Sequence, residues 1–172
     1  ENGETLCVSS FENPQRFGGS DIMHRISYDG ENPGELRKAI ISGINFEIQE
    51  LANQRGFARQ EIYEIVIAAN STMRDIFFKI DVQSIGQRPY KSIVEHEYRE
   101  GVRDTTALTQ GARRLGIRVN PRAKVYSLPL VASHVGADVA ADLIAIEMTN
   151  EDEVVMLVDV GTNTEVVLGH RG

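Results

Sequence analysis

The chain holds one cysteine, Cys7, and no tryptophan among its 172 residues. A lone thiol excludes an internal disulfide and any iron–sulfur cluster held by four thiolates of this chain, and a reducing, cytoplasmic setting is the expectation. Basic charge is also scarce, with 18 Lys and Arg against 25 Asp and Glu and a formal net charge of −7. Such a balance leaves no broad basic face for a phosphate backbone, so no nucleic acid is expected as a partner. No apolar run approaches the roughly 20 residues that cross a bilayer, so no membrane association is expected either. Imidazoles are few and badly spaced for a metal: His24, His96, His134 and His170 form no His-x-x-x-His pair. The start, Glu-Asn-Gly-Glu, has neither an initiator methionine nor a signal-peptide core, which suggests an excised piece or a processed chain.

What is present is globular. With 41% hydrophobic and 25% charged residues, the chain has enough apolar material for one domain, and disorder is excluded. Residues 5–10 form a short β-branched, apolar run that reads as a strand ending at Asn13-Pro14. Ser20 or Asp21 can cap a helix through Ile22, Met23 and Ile26, closed by Asp29-Gly30. The clearest helix follows Asn32-Pro33, because Leu36, Ile40, Ile44, Ile48 and Leu51 recur at helical spacing up to Gly56. Residues 62–69 read as a buried strand, and Asn70-Ser71-Thr72 supplies a turn and cap for a helix over 73–78.

Glycine and proline interrupt residues 81–123, which read as an irregular insertion. Order returns with a strand at 124–128 and a helix opening at Ser133 to Asp138, then running through Val139, Leu143, Ile144 and Ile146. Two apolar strands close the chain, 154–158 and 165–168, with Asp159-Val160-Gly161-Thr162-Asn163-Thr164 between them as a β-hairpin. The expected fold is α/β, a single partial domain over 1–172 with one mixed sheet flanked by helices.

The hairpin carries the chemistry. A carboxylate at the end of a buried strand puts Asp159 where it can hold a hydrated cation, while the turn amides and hydroxyls face an anion. Gly161 lets backbone approach closely, and Thr162, Asn163 and Thr164 offer donors without repelling a phosphate. Glu165 can act through a metal or a water. The same residues also suit an ordinary tight hairpin, which needs Gly and Asn for its own geometry.

Asp159-Val160-Gly161-Thr162-Asn163-Thr164-Glu165 resembles the second phosphate loop, Asp-Ile-Gly-Thr-Asn-Gly-Glu, of an actin-like family of ATP-dependent reductive activators of corrinoid proteins. The resemblance extends to three more segments. Asn70-Ser71-Thr72-Met73 answers to an Asn-Thr-Thr-Met after a buried strand. Leu128-Pro129 leading to Gly136-Ala137-Asp138 answers to a Leu-Pro that leads to Gly-Gly-Asp. Asn13-Pro14-Gln15 through Arg25-Ile26 answers to Asn-Pro-Gln-x-x-x-Gly-x-Asp-x-x-x-Arg-Ile. Thr164 and Ala137 each replace a family glycine.

The resemblance implies an actin-like, ribonuclease-H-like ATPase lobe that takes ATP and Mg2+, with Asp159 as metal ligand. Asp138 would orient a metal-bound water, although a helix dipole favours an acid there for its own reasons. Asn70, Ser71, Thr72 and Gly136 would line the nucleotide cleft, yet a helix N-cap asks for the same residue types at 70–72. The implied parent uses ATP to reduce inactive cob(II)alamin to cob(I)alamin in a corrinoid protein, its partner, with electrons from a [2Fe-2S] cluster in a missing amino-terminal domain. The family's first phosphate loop and adenosine lobe are also absent here, so the isolated chain is expected to be inactive. A homodimer stays open. Two rivals remain, an actin-like small-molecule kinase and a non-catalytic interaction module. Arg113, Arg114, Arg118 and Arg122 either meet an acidic partner or are solvated loop arginines, and Cys7 reads as a small hydrophobe.

Overall fold

The computed structural model describes residues 3–161 and 164–171. The long helix α2, Glu35–Arg55, forms where the apolar period requires it, and Gly56 ends it with φ 74°, a left-handed turn whose N–H donates to the Ala52 carbonyl at 2.9 Å. Before it lies α1, Ile22–Glu31, capped by Asp21, whose carboxylate accepts from the His24 N–H at 3.0 Å. A 3-10 turn, Pro14–Gly18, is capped in the same way by the Asn13 side chain.

Residues 5–10 form no strand. Leu6 and Val8 lie exposed, and Ser9 hydrogen-bonds to Glu47 on α2. β-propensity alone cannot hold an extended segment that finds no neighbouring ladder.

The expectation of a single sheet is also corrected, since there are two. The larger has the order β1-β3-β2, where β1 is Glu64–Ile67, β2 Leu108–Gly111 and β3 Lys124–Ser127. The central strand β3 runs parallel to β1, with Ile65 beside Val125, and antiparallel to β2, with Gln110 beside Val125. Val125 is therefore fully covered. β1 stands at the edge with Val66 exposed, so it is half-buried rather than buried. The second sheet is the hairpin of β4, Val155–Val160, and β5, Thr164–Gly169.

Residues 81–123 are folded rather than irregular. They contain a 3-10 turn at Gln83–Gly86, α4 at Ile93–Arg99, strand β2 and the short helix α5, Ala112–Leu115. Their apolar residues complete both cores: Val82 and Ile85 pack with Ile26, Leu36 and Ile76, while Val94, Leu108, Leu115 and Ile117 pack with Phe77, Phe78 and Ile41. Full burial of one such side chain is worth about 1.5–3 kcal/mol, so the segment is part of what holds the fold together.

Helix α3, Ser71–Phe77, is buried on most sides and carries a fully buried ion pair, Arg74 with Asp75. Arg74 Nε and Nη2 donate to Asp75 Oδ1 at 2.9 and 2.8 Å, and Nη1 donates to the Thr106 carbonyl at 2.9 Å. Ser92, the cap of α4, donates to the other Asp75 oxygen at 2.6 Å. The segment before β2 and the start of α4 are thereby tied to α3. Among the described residues no helix is long and apolar enough to cross a membrane.

Candidate functional site

The site forms because three segments, the starts of two helices and the tip of a hairpin, converge on one point. Strand β1 leads through Ala69 into α3, and the Asn70 side-chain oxygen caps α3 by accepting from the Met73 N–H at 3.0 Å. The Ala69 carbonyl accepts from the N–H groups of Ala137 and Asp138, at 3.0 and 3.2 Å, so the start of α6, Ala137–Ala145, is pinned beside the start of α3. Gly136 sits in this junction. A Cβ added there would meet Asn70 Cα at 2.6 Å and the Ser71 nitrogen at 2.8 Å, so only glycine lets the two backbones approach this closely.

The tip of the β4–β5 hairpin closes the third side. Asp159 and Glu165 fall within the strands, facing each other in the ladder, and only 161–163 separate the strands. Both lie on the half-buried face, in the alternation that also turns Val155, Leu157 and Val167 inward. Thr164 opens β5 and is exposed, a strand residue rather than part of the turn. Thr162 and Asn163 lie outside the described residues.

Two adjoining cavities occupy the convergence. One, of about 300 Å3, is lined by Ser20, Asp21, Ile22, Arg25, Asn70, Asp138, Asp159, Gly161 and Glu165. The other, of about 280 Å3, adds Ser71, Thr72, Ser133, His134 and Gly136. The structure thus brings Asn70, Ser71, Thr72, Gly136, Asp138, Asp159, Gly161 and Glu165 together. Ser71 and Thr72 are nearly covered, so they form floor rather than reachable donors. The lining residues that the sequence did not single out for the site are Ser20, Asp21, Ile22, Arg25, Ser133 and His134. Arg25 had a usable signal, since it stands one helical turn beyond the cap Asp21 and shares its face of α1.

The cavity is electrostatically loaded. Burial pushes the Asp138 carboxyl above the usual range, and repulsion from Asp159 and Asp142 adds to it against the backbone donors that lower it. Burial likewise raises Glu165, helped by Asp159 and then Asp138. Three carboxylates therefore sense one another. One Asp138 oxygen accepts from the Val139 N–H at 2.9 Å, whereas the Asp159 carboxylate accepts no hydrogen bond from the described residues. Asp21 is already engaged with His24.

Among the described residues no group of three or more His, Cys, Asp or Glu is arranged as a metal cage. A magnesium ion that arrives with a nucleotide keeps water and phosphate ligands and needs only one or two carboxylates from the protein. The donor set fits that demand, with hard oxygens at Asp159 and Glu165 and no sulfur or imidazole among the described residues that line this cavity.

The chain matches a family described as the RACo middle region over residues 1–151. It is 27% identical over 172 residues to the corrinoid activation enzyme RamQ of Eubacterium limosum, covering 98% of this chain and 27% of that protein. It is also similar to a solved structure of a reductive activator for corrinoid,iron-sulfur protein, at TM-score 0.88 and 34% identity over 98% of this chain and 26% of the other. The chain thus spans about a quarter of the length of these relatives. The hairpin lies beyond the family match, at 155–169.

Proposed function

Because the chain belongs to the RACo middle region family, we propose that it forms part of an actin-like ATPase domain in an activator of corrinoid proteins, with the β4–β5 hairpin as a phosphate loop. The observation that carries this reading is the meeting of Asp159, Glu165 and Asp138 in one cavity beside the paired starts of α3 and α6. Repulsion among these carboxylates is a cost that a bound divalent cation removes. Magnesium bound there with ATP would neutralise phosphate charge.

In this reading Asp159 and Glu165 would hold the cation, and Asp138 would hold a water for attack on the phosphate. Gly161 keeps the turn open to the anion. The parent couples ATP to the reduction of cob(II)alamin to cob(I)alamin in a corrinoid protein, through two domain arrangements that bind nucleotide unequally. The [2Fe-2S] cluster belongs to another part of such a parent, as Cys7 is this chain's one thiol. The similarity to RamQ and to the reductive activator supports the corrinoid protein as partner.

A phosphotransferase reading is favoured by one observation, an Asp138 carboxyl raised by burial in the same cavity as Asp159, which is how a general base is tuned. Appearance of a phosphorylated hydroxyl compound with ATP would select it.

The test is an amide NMR titration of the chain with Mg-ATP. Weak, roughly millimolar binding is expected, because this surface offers a phosphate site of about 300 Å3 and small ligands gain only a limited amount per contacting atom. The amides of Gly136, Asp138, Gly161 and Glu165 should move together, and Asp159→Ala should abolish the response. Movement elsewhere, or none, would leave the interaction module as the better reading.

A further inference from the structure

We propose that Arg25 is a phosphate-binding residue of this cavity, placed to grip the polyphosphate of a magnesium-bound nucleotide in the space it shares with the carboxylates. The proposal deepens the reading of the hairpin as a phosphate loop and rests on it.

Arg25 lies in the first half of α1 and lines the same cavity as Asp138, Asp159 and Glu165. Its Nε–H donates to the Gly19 carbonyl at 3.1 Å, and an Nη1–H points at Met73 Sδ at 3.3 Å. These contacts fix the guanidinium against the start of α3 while engaging only two of its five N–H donors, one of them with a thioether, which is a weak acceptor. Three donors remain in a planar fork.

The cavity holds four carboxylates, counting Asp21, yet Arg25 forms an ion pair with none of them among the described residues. A half-buried guanidinium and several acids that share about 300 Å3 without touching have left space between opposite charges. A magnesium polyphosphate fills that space with the correct polarity. Its metal meets Asp159 and Glu165, and its non-bridging oxygens meet the guanidinium fork, a bidentate geometry that arginine supplies and lysine does not. A free anion would leave the acids unneutralised, and a bare cation would leave Arg25 unused.

The experiment follows the arginine Nε–H resonances and backbone amides of the 15N-labelled chain as magnesium tripolyphosphate is added, with magnesium plus adenosine as control. The Arg25 Nε–H signal should move at the same midpoint as the Gly161 and Glu165 amides, and adenosine should move neither. Arg25→Gln should weaken binding about tenfold, as expected for loss of a charge-assisted hydrogen bond, and Arg25→Lys should recover part of it. The unchanged remainder of each spectrum reports that the variant is folded. If the hairpin amides respond but Arg25→Gln binds as tightly as the parent chain, the proposal fails and the phosphate-loop reading survives. If neither the hairpin nor Arg25 responds, both fail. A response of Arg25 to tripolyphosphate that ignores magnesium also overturns the proposal, because the carboxylates then play no part.

Discussion

Asp159 and Glu165 face each other as direct partners across the β4–β5 ladder, two carboxylates where a sheet would normally place opposite charges or apolar side chains. Like charges in that position destabilise a hairpin, so the pair is a local cost retained where three chain segments meet. That is the pattern expected of a site rather than of a scaffold.

Removing one charge should therefore stabilise the chain. Glu165→Gln is expected to raise unfolding stability by ~0.2–1 kcal/mol at pH 7.5. Because Glu165 is raised in the folded state, its protonated form contributes stability below the unfolded value near ~4.3, and that contribution is lost as pH rises through the folded value. The advantage of the variant should accordingly shrink toward pH 4. Urea unfolding at the two pH values measures this, and an equal or larger gain at pH 4 would contradict it.

Gly136→Ala should be poorly tolerated, because its Cβ would sit 2.6 Å from Asn70 Cα, and backbone cannot swing aside as a flexible side chain can. A loss of about 1–3 kcal/mol is expected from such overpacking. Thermal unfolding gives the answer, and a variant with unchanged midpoint would show that the α3–α6 junction is looser than described.

At Asn70 the expected effect has a different origin. Asn70→Ala removes the acceptor for the Met73 N–H and should cost about 0.5–2 kcal/mol, whereas Asn70→Asp keeps the cap and should cost little. If both variants lose equally in denaturant titrations, the side chain's role is not capping.

The buried Arg74–Asp75 pair makes the largest prediction. Asp75→Asn leaves a fully covered guanidinium without its counter-charge, and a loss of about 3–5 kcal/mol is expected, enough to unfold a marginal domain. Replacing both with apolar residues, Arg74→Met with Asp75→Leu, should recover much of that loss. Soluble yield and circular dichroism discriminate, and a double variant worse than Asp75→Asn would mean that the bonds to Thr106 and Ser92 dominate.

Much of the local structure was legible in the sequence for short-range reasons. Leu36, Ile40, Ile44 and Ile48 announce α2, Asp21 and Asn70 announce their helices through caps, and the two apolar runs on either side of the Gly161 turn announce the hairpin. Residues 5–10 misled because strand propensity says nothing about whether a partner strand exists. Residues 81–123 misled because Gly86, Pro89, Gly101 and Gly111 punctuate elements of only four to seven residues, too short for any period to show.

The sequence by itself determined which residue types could serve a phosphate and a cation, because caps, turns and strand ends are settled within a few positions of one another. Only the tertiary structure decided that Arg25, Asn70, Gly136, Asp138, Asp159 and Glu165 line two adjoining cavities at one convergence. That outcome depends on β3 pairing in parallel with β1, on the Ala69 carbonyl capturing the start of α6, and on residues 81–123 filling two cores. Each is a long-range choice made by which faces bury together, and no local pattern encodes it.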